Sequence, residues 1–341
     1  MSNDHTTPRY LVAGQLTRDF ILLPSGDALL DIPGGNAIYA AVGLALWEPD
    51  PPPGLLARIG EDYPQVWLDT FQARGMDMRG ISVLPEAVDL RSFVAFSDWD
   101  TRKSGDPVPH FAKLGLPFPK ALLGYNAGRN SLDSRTNLAP TSLRRADIID
   151  DYLNATMAHI CPLDYLTHSV LPVIMRQAQF TIITLDPSGG YMNPTFWEDV
   201  PSLLTGLTAF MPSEDEVRTL FQGRSVDLWE MAEALAAYGC EFVVIKAGQR
   251  GQFLYDSGTR SRWEIPSYPA RVLNPVGAGD AFCGGFLAGY RLTYDPLMAA
   301  LHGNISASLV IEGNDPAFAL DTHPQLPQSR MESLKSAVRK L

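Results

Sequence analysis

Along most of the chain, short apolar or β-branched runs alternate with stretches whose apolar residues recur at helical spacing. The runs predict strands over residues 10–13, 20–23, 55–59, 81–84, 91–97, 158–161, 181–185, 208–211 and 242–246. The strand at 91–97 reads as less buried than the one before it. Amphipathic stretches predict helices over 37–47, 63–74, 169–178, 196–204, 214–221, 228–238, 281–292 and 295–311, with a polar C-terminal helix over 328–341. Two further runs, 252–255 and 262–265, read as an antiparallel addition. Strand and helix in alternation imply a parallel sheet wrapped on both faces by helices, an α/β fold. The pattern breaks between about 98 and 145, where Pro, Gly, Asn and Ser crowd together without a sustained period. One helix, beginning near Pro119, is expected there. Such a stretch is either an insertion over a functional site or a surface excursion, and both readings stand.

The chain is organised around Asn274-Pro275-Val276-Gly277-Ala278-Gly279-Asp280-Ala281-Phe282. A strand and turn precede it and a small-residue-rich helix follows. The glycines therefore fall at a helix N-terminus, where backbone N–H groups and the helix dipole together favour an anion. Asp280 beside them reads either as a helix-capping residue or as a base next to a bound phosphate.

Charge and composition narrow the classes. A formal net charge of −11 over 341 residues, with no basic stretch, argues against nucleic acid as a partner. No segment has the length of a membrane span, and the opening MSNDHTTPRY lacks the basic-then-apolar pattern of a signal peptide. Cys161, Cys240 and Cys283 supply neither a disulfide framework nor a metal-binding spacing. A cytoplasmic protein is expected. His159, His168 and His302 show no metal-ligand spacing and read as structural. A Rossmann-type dehydrogenase needs G-x-G-x-x-G after an early strand, which Gly34-Gly35-Asn36 does not provide.

These residues resemble the ribokinase-like (PfkB-type) carbohydrate kinase family over roughly residues 11–313. Val276-Gly277-Ala278-Gly279-Asp280 matches the specific half of its C-terminal signature, and Gly34-Gly35-Asn36 its N-terminal sugar-binding turn. Arg58-Ile59-Gly60-Glu61-Asp62, Pro212-Ser213-Glu214-Asp215-Glu216 and Val243-Val244-Ile245-Lys246-Ala247-Gly248 match further elements in the family's order. The resemblance implies a single α/β domain over 1–341. This would be a three-layer sandwich with a mostly parallel central sheet and a small β-sheet lid from about 19–30 and 91–97.

By the same resemblance the chain is an ATP-dependent kinase for a hydroxymethyl group of a sugar or nucleoside. Asp280 would be the catalytic base, with the amides of Gly277, Ala278 and Gly279 as the anion hole. Asp19, Gly35 and Asn36 would bind substrate, and Lys246, Gly248 and Asn304 the nucleotide. Glu214 would order water around Mg²⁺, although Met211 replaces the Asn usual three residues before it. Asn274-Pro275 stands where the family has Asp-Thr, so potassium activation is not implied. A homodimer through the lid is one arrangement the resemblance allows. The alternative function is a catalytically weak member that binds a sugar or nucleotide for regulation.

Overall fold

The computed structural model describes residues 7–126 and 133–341, so 127–132 of the irregular stretch and the first six residues lie outside it. The strands in chain order are β1 (Tyr10–Ala13), β2 (Thr17–Leu22), β3 (Ala28–Gly34), β4 (Gly54–Gly60), β5 (Asp77–Leu84), β6 (Arg91–Phe96) and β7 (Arg102–Lys103). They continue as β8 (Met157–Ile160), β9 (Ile182–Leu185), β10 (Ala209–Phe210), β11 (Phe242–Lys246), β12 (Gln252–Asp256), β13 (Ser261–Ile265) and β14 (Arg339–Lys340). The helices are α1 (Asn36–Ala45), α2 (Gln65–Ala73), α3 (Val108–Leu114), α4 (Tyr165–Gln177) and α5 (Val200–Leu204). After them come α6 (Glu214–Leu220), α7 (Leu228–Ala236), α8 (Ala278–Thr293), α9 (Pro296–Val310) and α10 (Leu326–Lys335).

The central sheet runs β14-β13-β12-β11-β10-β9-β8-β1-β4-β5. From β5 to β11 every pairing is parallel, and β12 to β14 extend the sheet antiparallel. β1, β8 and β9 are buried at every residue, as strands covered on both faces must be. Alternation in β1 shows the layers directly. Tyr10 and Val12 join the cluster built with α1, α8 and α9, while Leu11 and Ala13 join the one built with α4, α5, α6 and α7. α1 and α8 cross at backbone contact: a Cβ on Gly284 would strike the carbonyl of Ala40, and one on Gly43 that of Ala281. Each crossing position therefore requires glycine.

A second, four-stranded sheet has the order β3-β2-β6-β7. β2 stays regular and β3 carries the bulge, with Asp31 at φ 54° as the extra residue between partners of Asp19 and Phe20. Arg18 grips that bulge through a two-pronged pair with Asp31 at 2.8 and 2.7 Å. Phe20, Leu22, Phe93 and Ala95 form one face, covered by Phe111 and Leu122 of the chain's own irregular stretch.

Several expectations are corrected. The strand at 91–97 is not the less buried one: β6 hides Phe93 and Ala95, whereas β5 is a sheet edge with Val83 exposed. The helix expected near Pro119 is a single 3-10 turn, Lys120–Leu122, and the helix of that stretch is α3. Pro107 and Pro109 fit its open first turn, and Gly115 at φ 66° ends it. The helix expected over 196–204 shortens to α5, preceded by a 3-10 turn, Pro194–Phe196. The C-terminal helix stops at Lys335, and the chain returns as β14 beside β13.

Candidate active site

The site lies at the carboxyl ends of the parallel strands, where helix N-termini and loops converge. Gly277 opens α8 at φ 82° and ψ −3°. A Cβ there would enter the Tyr39 ring of α1, so the left-handed turn and the close approach both require glycine. Ala278 N–H bends back to the Pro275 carbonyl at 3.4 Å, and Asn274 Oδ1 accepts from Val276 N–H at 3.1 Å. The Gly279 amide has no acceptor among the described residues. Lys246, the last residue of β11, brings its Nζ to 3.6 Å from where a Cβ on Gly279 would stand.

Four carboxylates surround this turn. Asp280 is the third residue of α8 and partly buried. Burial pushes its carboxyl up to about 6, opposed by Lys246 and Arg102 and reinforced by Asp19. Asp186, just past β9, is buried and donates nothing; it accepts from Lys246 Nζ and, at 3.5 Å, from Cys283 Sγ. Burial pushes Asp186 up to about 6, with Lys246 pulling it down. For Lys246 burial acts downward, but Asp186 outweighs it and holds the ammonium charged. Glu216 accepts from the Ser213 backbone N–H and hydroxyl, both at 2.7 Å, and burial followed by Asp186 raises its carboxyl to about 7. Asp19, only 5 % exposed, sits over Gly34 with Thr17 Oγ1 donating to it at 2.6 Å. Burial pushes Asp19 up to about 6.

The other expected residues fall into two groups. Gly35 caps α1 at φ 111°, where a Cβ would meet the Gln15 carbonyl. Asn36 straps two strand ends together, accepting from Gln15 N–H at 2.7 Å and donating to the Pro162 carbonyl at 2.8 Å. Gly248, at φ 55°, lies in the loop after β11, within 3.7 Å of Asp100 measured from its missing Cβ. Asn304 is buried and fully used: it donates to Gln252 and the Pro266 carbonyl and accepts from Tyr268 N–H. It therefore shapes the 266–268 loop. Glu214 is held between Arg218, at 2.6 Å, and Arg250, while Met211 is completely buried. His168 has both nitrogens bonded, to Tyr191 and the Cys161 carbonyl, and His302 donates from Nδ1 to the Met298 carbonyl at 2.6 Å and packs beside Trp47. His159 bonds Thr184 through Nδ1 and leaves Nε2 without a partner among the described residues.

Sequence reasoning missed Asp186, Glu216, Tyr39 and Arg102. Asp186 follows a buried run at a strand's carboxyl end, which was a usable signal. Glu216 was visible only as the far member of the Ser213 capping box. Tyr39 has a buried hydroxyl with no partner among the described residues, in the field of Asp19 and Asp280.

With this geometry in view, the layered sheet, the small second sheet and the glycine turn define a ribokinase-like fold. A nucleoside kinase of Burkholderia thailandensis, solved with inosine, superposes with a TM-score of 0.67 at 19% identity, covering 96% of this chain and 99% of that one. Aminoimidazole riboside kinase of Salmonella enterica, solved with its riboside and an ATP analogue, gives 0.65 at 16%, covering 94% and 99%. A cytidine kinase of Thermococcus kodakarensis is 25% identical over 288 residues, 82% of this chain and 87% of its own. Residues 154–323 match the description pfkB family carbohydrate kinase. The chain belongs to that family of phosphotransferases, whose acceptor is an alcohol group.

Proposed function

We propose that the protein is an ATP-dependent kinase that phosphorylates a hydroxymethyl group of a nucleoside or sugar, with Asp280 as general base. The observation that carries this reading is the state of Asp280: a carboxyl lifted to about 6, standing beside the Lys246 ammonium and an amide with no acceptor among the described residues. A base of that strength is ionised at neutral pH and still takes a proton from a hydroxyl as its oxygen attacks phosphorus. The amides of Gly277 and Gly279, with Lys246, would stabilise charge on the phosphoryl oxygens, and that of Ala278 would join them on giving up its long bond to the Pro275 carbonyl. Asp19, on the small sheet, would accept hydrogen bonds from acceptor hydroxyls. That sheet would act as a lid that excludes water.

Among the described residues no cluster of three or more His, Cys, Asp or Glu side chains has the arrangement of a metal cage. The acids present fit a Mg²⁺ ion carried in on nucleotide phosphates with most of its waters, as is usual for that ion. Bound there, it would neutralise phosphate charge. Glu216, facing Asp186 and Lys246, is better placed to order its waters than Glu214, whose carboxylate is held by two arginines. The binding-only alternative draws on Met211 and on that occupied Glu214. Nucleosides are the favoured acceptors because the cytidine kinase matches over 87% of its own length, whereas the fructokinase of Rhizobium leguminosarum matches over 48% of its own. The test is ADP release with ATP, Mg²⁺ and a panel of cytidine, inosine, ribose and fructose. Release dependent on one of them supports the kinase; ATP binding without release on the whole panel supports the binder.

A further inference from the structure

The register of the small sheet sorts its residues between two faces. Phe20, Leu22, Phe93 and Ala95 fill the face packed on Phe111 and Leu122. Residues paired across strands share a face, and neighbours along a strand alternate. Asp19 pairs with Ser92, and Ile21 with Val94, so these look the other way, toward Gly34 and the acid site. Phe96 belongs to this inner face, and its partner on β7 is Arg102. Lys103, paired with Ala95, belongs to the outer one.

Arg102 is exposed and has no hydrogen-bond or ion-pair partner among the described residues. The turn that presents it is firmly built. Asp98 Oδ1 accepts from the amides of Asp100, at 3.0 Å, and Thr101, at 2.8 Å, and Ser97 N–H bonds the Thr101 carbonyl at 3.0 Å. Asp100, from the same turn, reaches the Gly248 loop. The hairpin therefore bridges from the small sheet to the loop after β11, and its free cation faces a site that already holds four carboxylates. The charge of Arg102 is felt at Asp280.

We propose that Arg102 is a catalytic residue, its guanidinium contacting the transferred γ-phosphoryl from the side opposite the Gly277–Gly279 amides; this rests on the kinase reading above. In the transfer the acceptor hydroxyl gives its proton to Asp280 and its oxygen forms the new bond to phosphorus. The bond from that phosphorus to the bridging oxygen breaks, and ADP leaves with the electron pair. Negative charge spreads over the phosphoryl oxygens in between. Lys246 and the amides meet it from the α8 side. The forked guanidinium meets it from the small-sheet side, where no other free cation on the inner face is available among the described residues. Because Arg102 rides on the hairpin, its contact would form only when the small sheet is shut.

The experiment compares Arg102→Ala, Arg102→Lys and Lys103→Ala with the unmutated protein in steady-state turnover of ATP and the best acceptor among cytidine, inosine, ribose and fructose. The expected result for Arg102→Ala is a kcat lower by about 10² to 10³, with acceptor KM within about threefold and an unchanged melting temperature. Added guanidinium ion restores part of the loss, and Lys103→Ala behaves as the unmutated protein. Arg102→Ala turnover within about threefold of normal, an equal loss in Lys103→Ala, or no response to guanidinium would overturn the assignment. Asp280→Asn in the same assay separates the two claims. If it is inactive while Arg102→Ala turns over normally, the Arg102 assignment fails and the kinase reading stands. If the unmutated protein transfers no phosphate to any acceptor, both fail.

Discussion

Replacing Asp280 with Asn separates what this carboxylate costs the fold from what it supplies to chemistry. The folded carboxyl is raised from 3.8 to about 6, first by burial. A group whose folded pKa is raised contributes stability that is fully present below the unfolded value and lost as pH rises through the folded one. A rise of about two units corresponds to roughly 3 kcal/mol as a ceiling. Partial exposure of Asp280 brings this nearer 1–2 kcal/mol. Its position in the first turn of α8 acts the other way, but an acid there gains only about 0.3–1 kcal/mol from the helix dipole. Gly277, not Asp280, is the N-cap, so no capping side chain is lost. Asp280→Asn also relieves Asp186, whose carboxyl Asp280 helps to raise. The variant should therefore be more stable at pH 8 by about 1 kcal/mol, and the gain should shrink as pH falls from about 6 to about 4. Urea unfolding at pH 8, 6 and 4.5 reads this directly. A variant less stable at pH 8, or a gain that does not change with pH, would refute the reasoning.

Three further outcomes are expected. Asp186→Ala leaves the Lys246 ammonium buried without its carboxylate and should cost about 3 kcal/mol in thermal or urea unfolding; a loss below about 1 kcal/mol would show that Lys246 finds another partner. Saturating acceptor with a non-hydrolysable ATP analogue should slow hydrogen exchange in β2 and β6, and unchanged exchange there would count against lid closure. Activity should require Mg²⁺ and gain little from potassium, because Asn274 spends its side chain on its own turn; a rise of about tenfold on exchanging sodium for potassium, roughly 1.4 kcal/mol, would contradict this.

The parallel core was legible because its strands are buried on both faces and so appear as unbroken apolar runs; β1 and β11 match their expected limits residue for residue. The glycine turn at the start of α8 was legible because two glycines between a strand and turn and an apolar helical stretch mark such a junction. What escaped depends on partners rather than on local pattern. β7 and β14 are two residues each, carry only Arg and Lys, and exist because β6 and β13 offer them an edge. α3 was hidden by prolines that act as breakers inside a helix but fit its first turn. Asn36 and Asn304 fell near the expected places, yet their amides brace loops, a use that no motif distinguishes from ligand binding. Arg102 had no signal at all, since its face is set by the register of a strand the sequence does not announce.

The most direct test of the account is phosphoryl transfer itself, followed as phosphorylated acceptor by mass spectrometry, for the unmutated protein and Asp280→Asn side by side. With ATP, Mg²⁺ and the best acceptor from the panel, product should form one-for-one with ADP. Asp280→Asn should lower kcat by about 10² to 10⁴ while still binding nucleotide, as loss of a positioned base predicts. Near-normal product from Asp280→Asn would contradict the role given to this carboxylate, and no product from the unmutated protein on any acceptor would contradict the kinase.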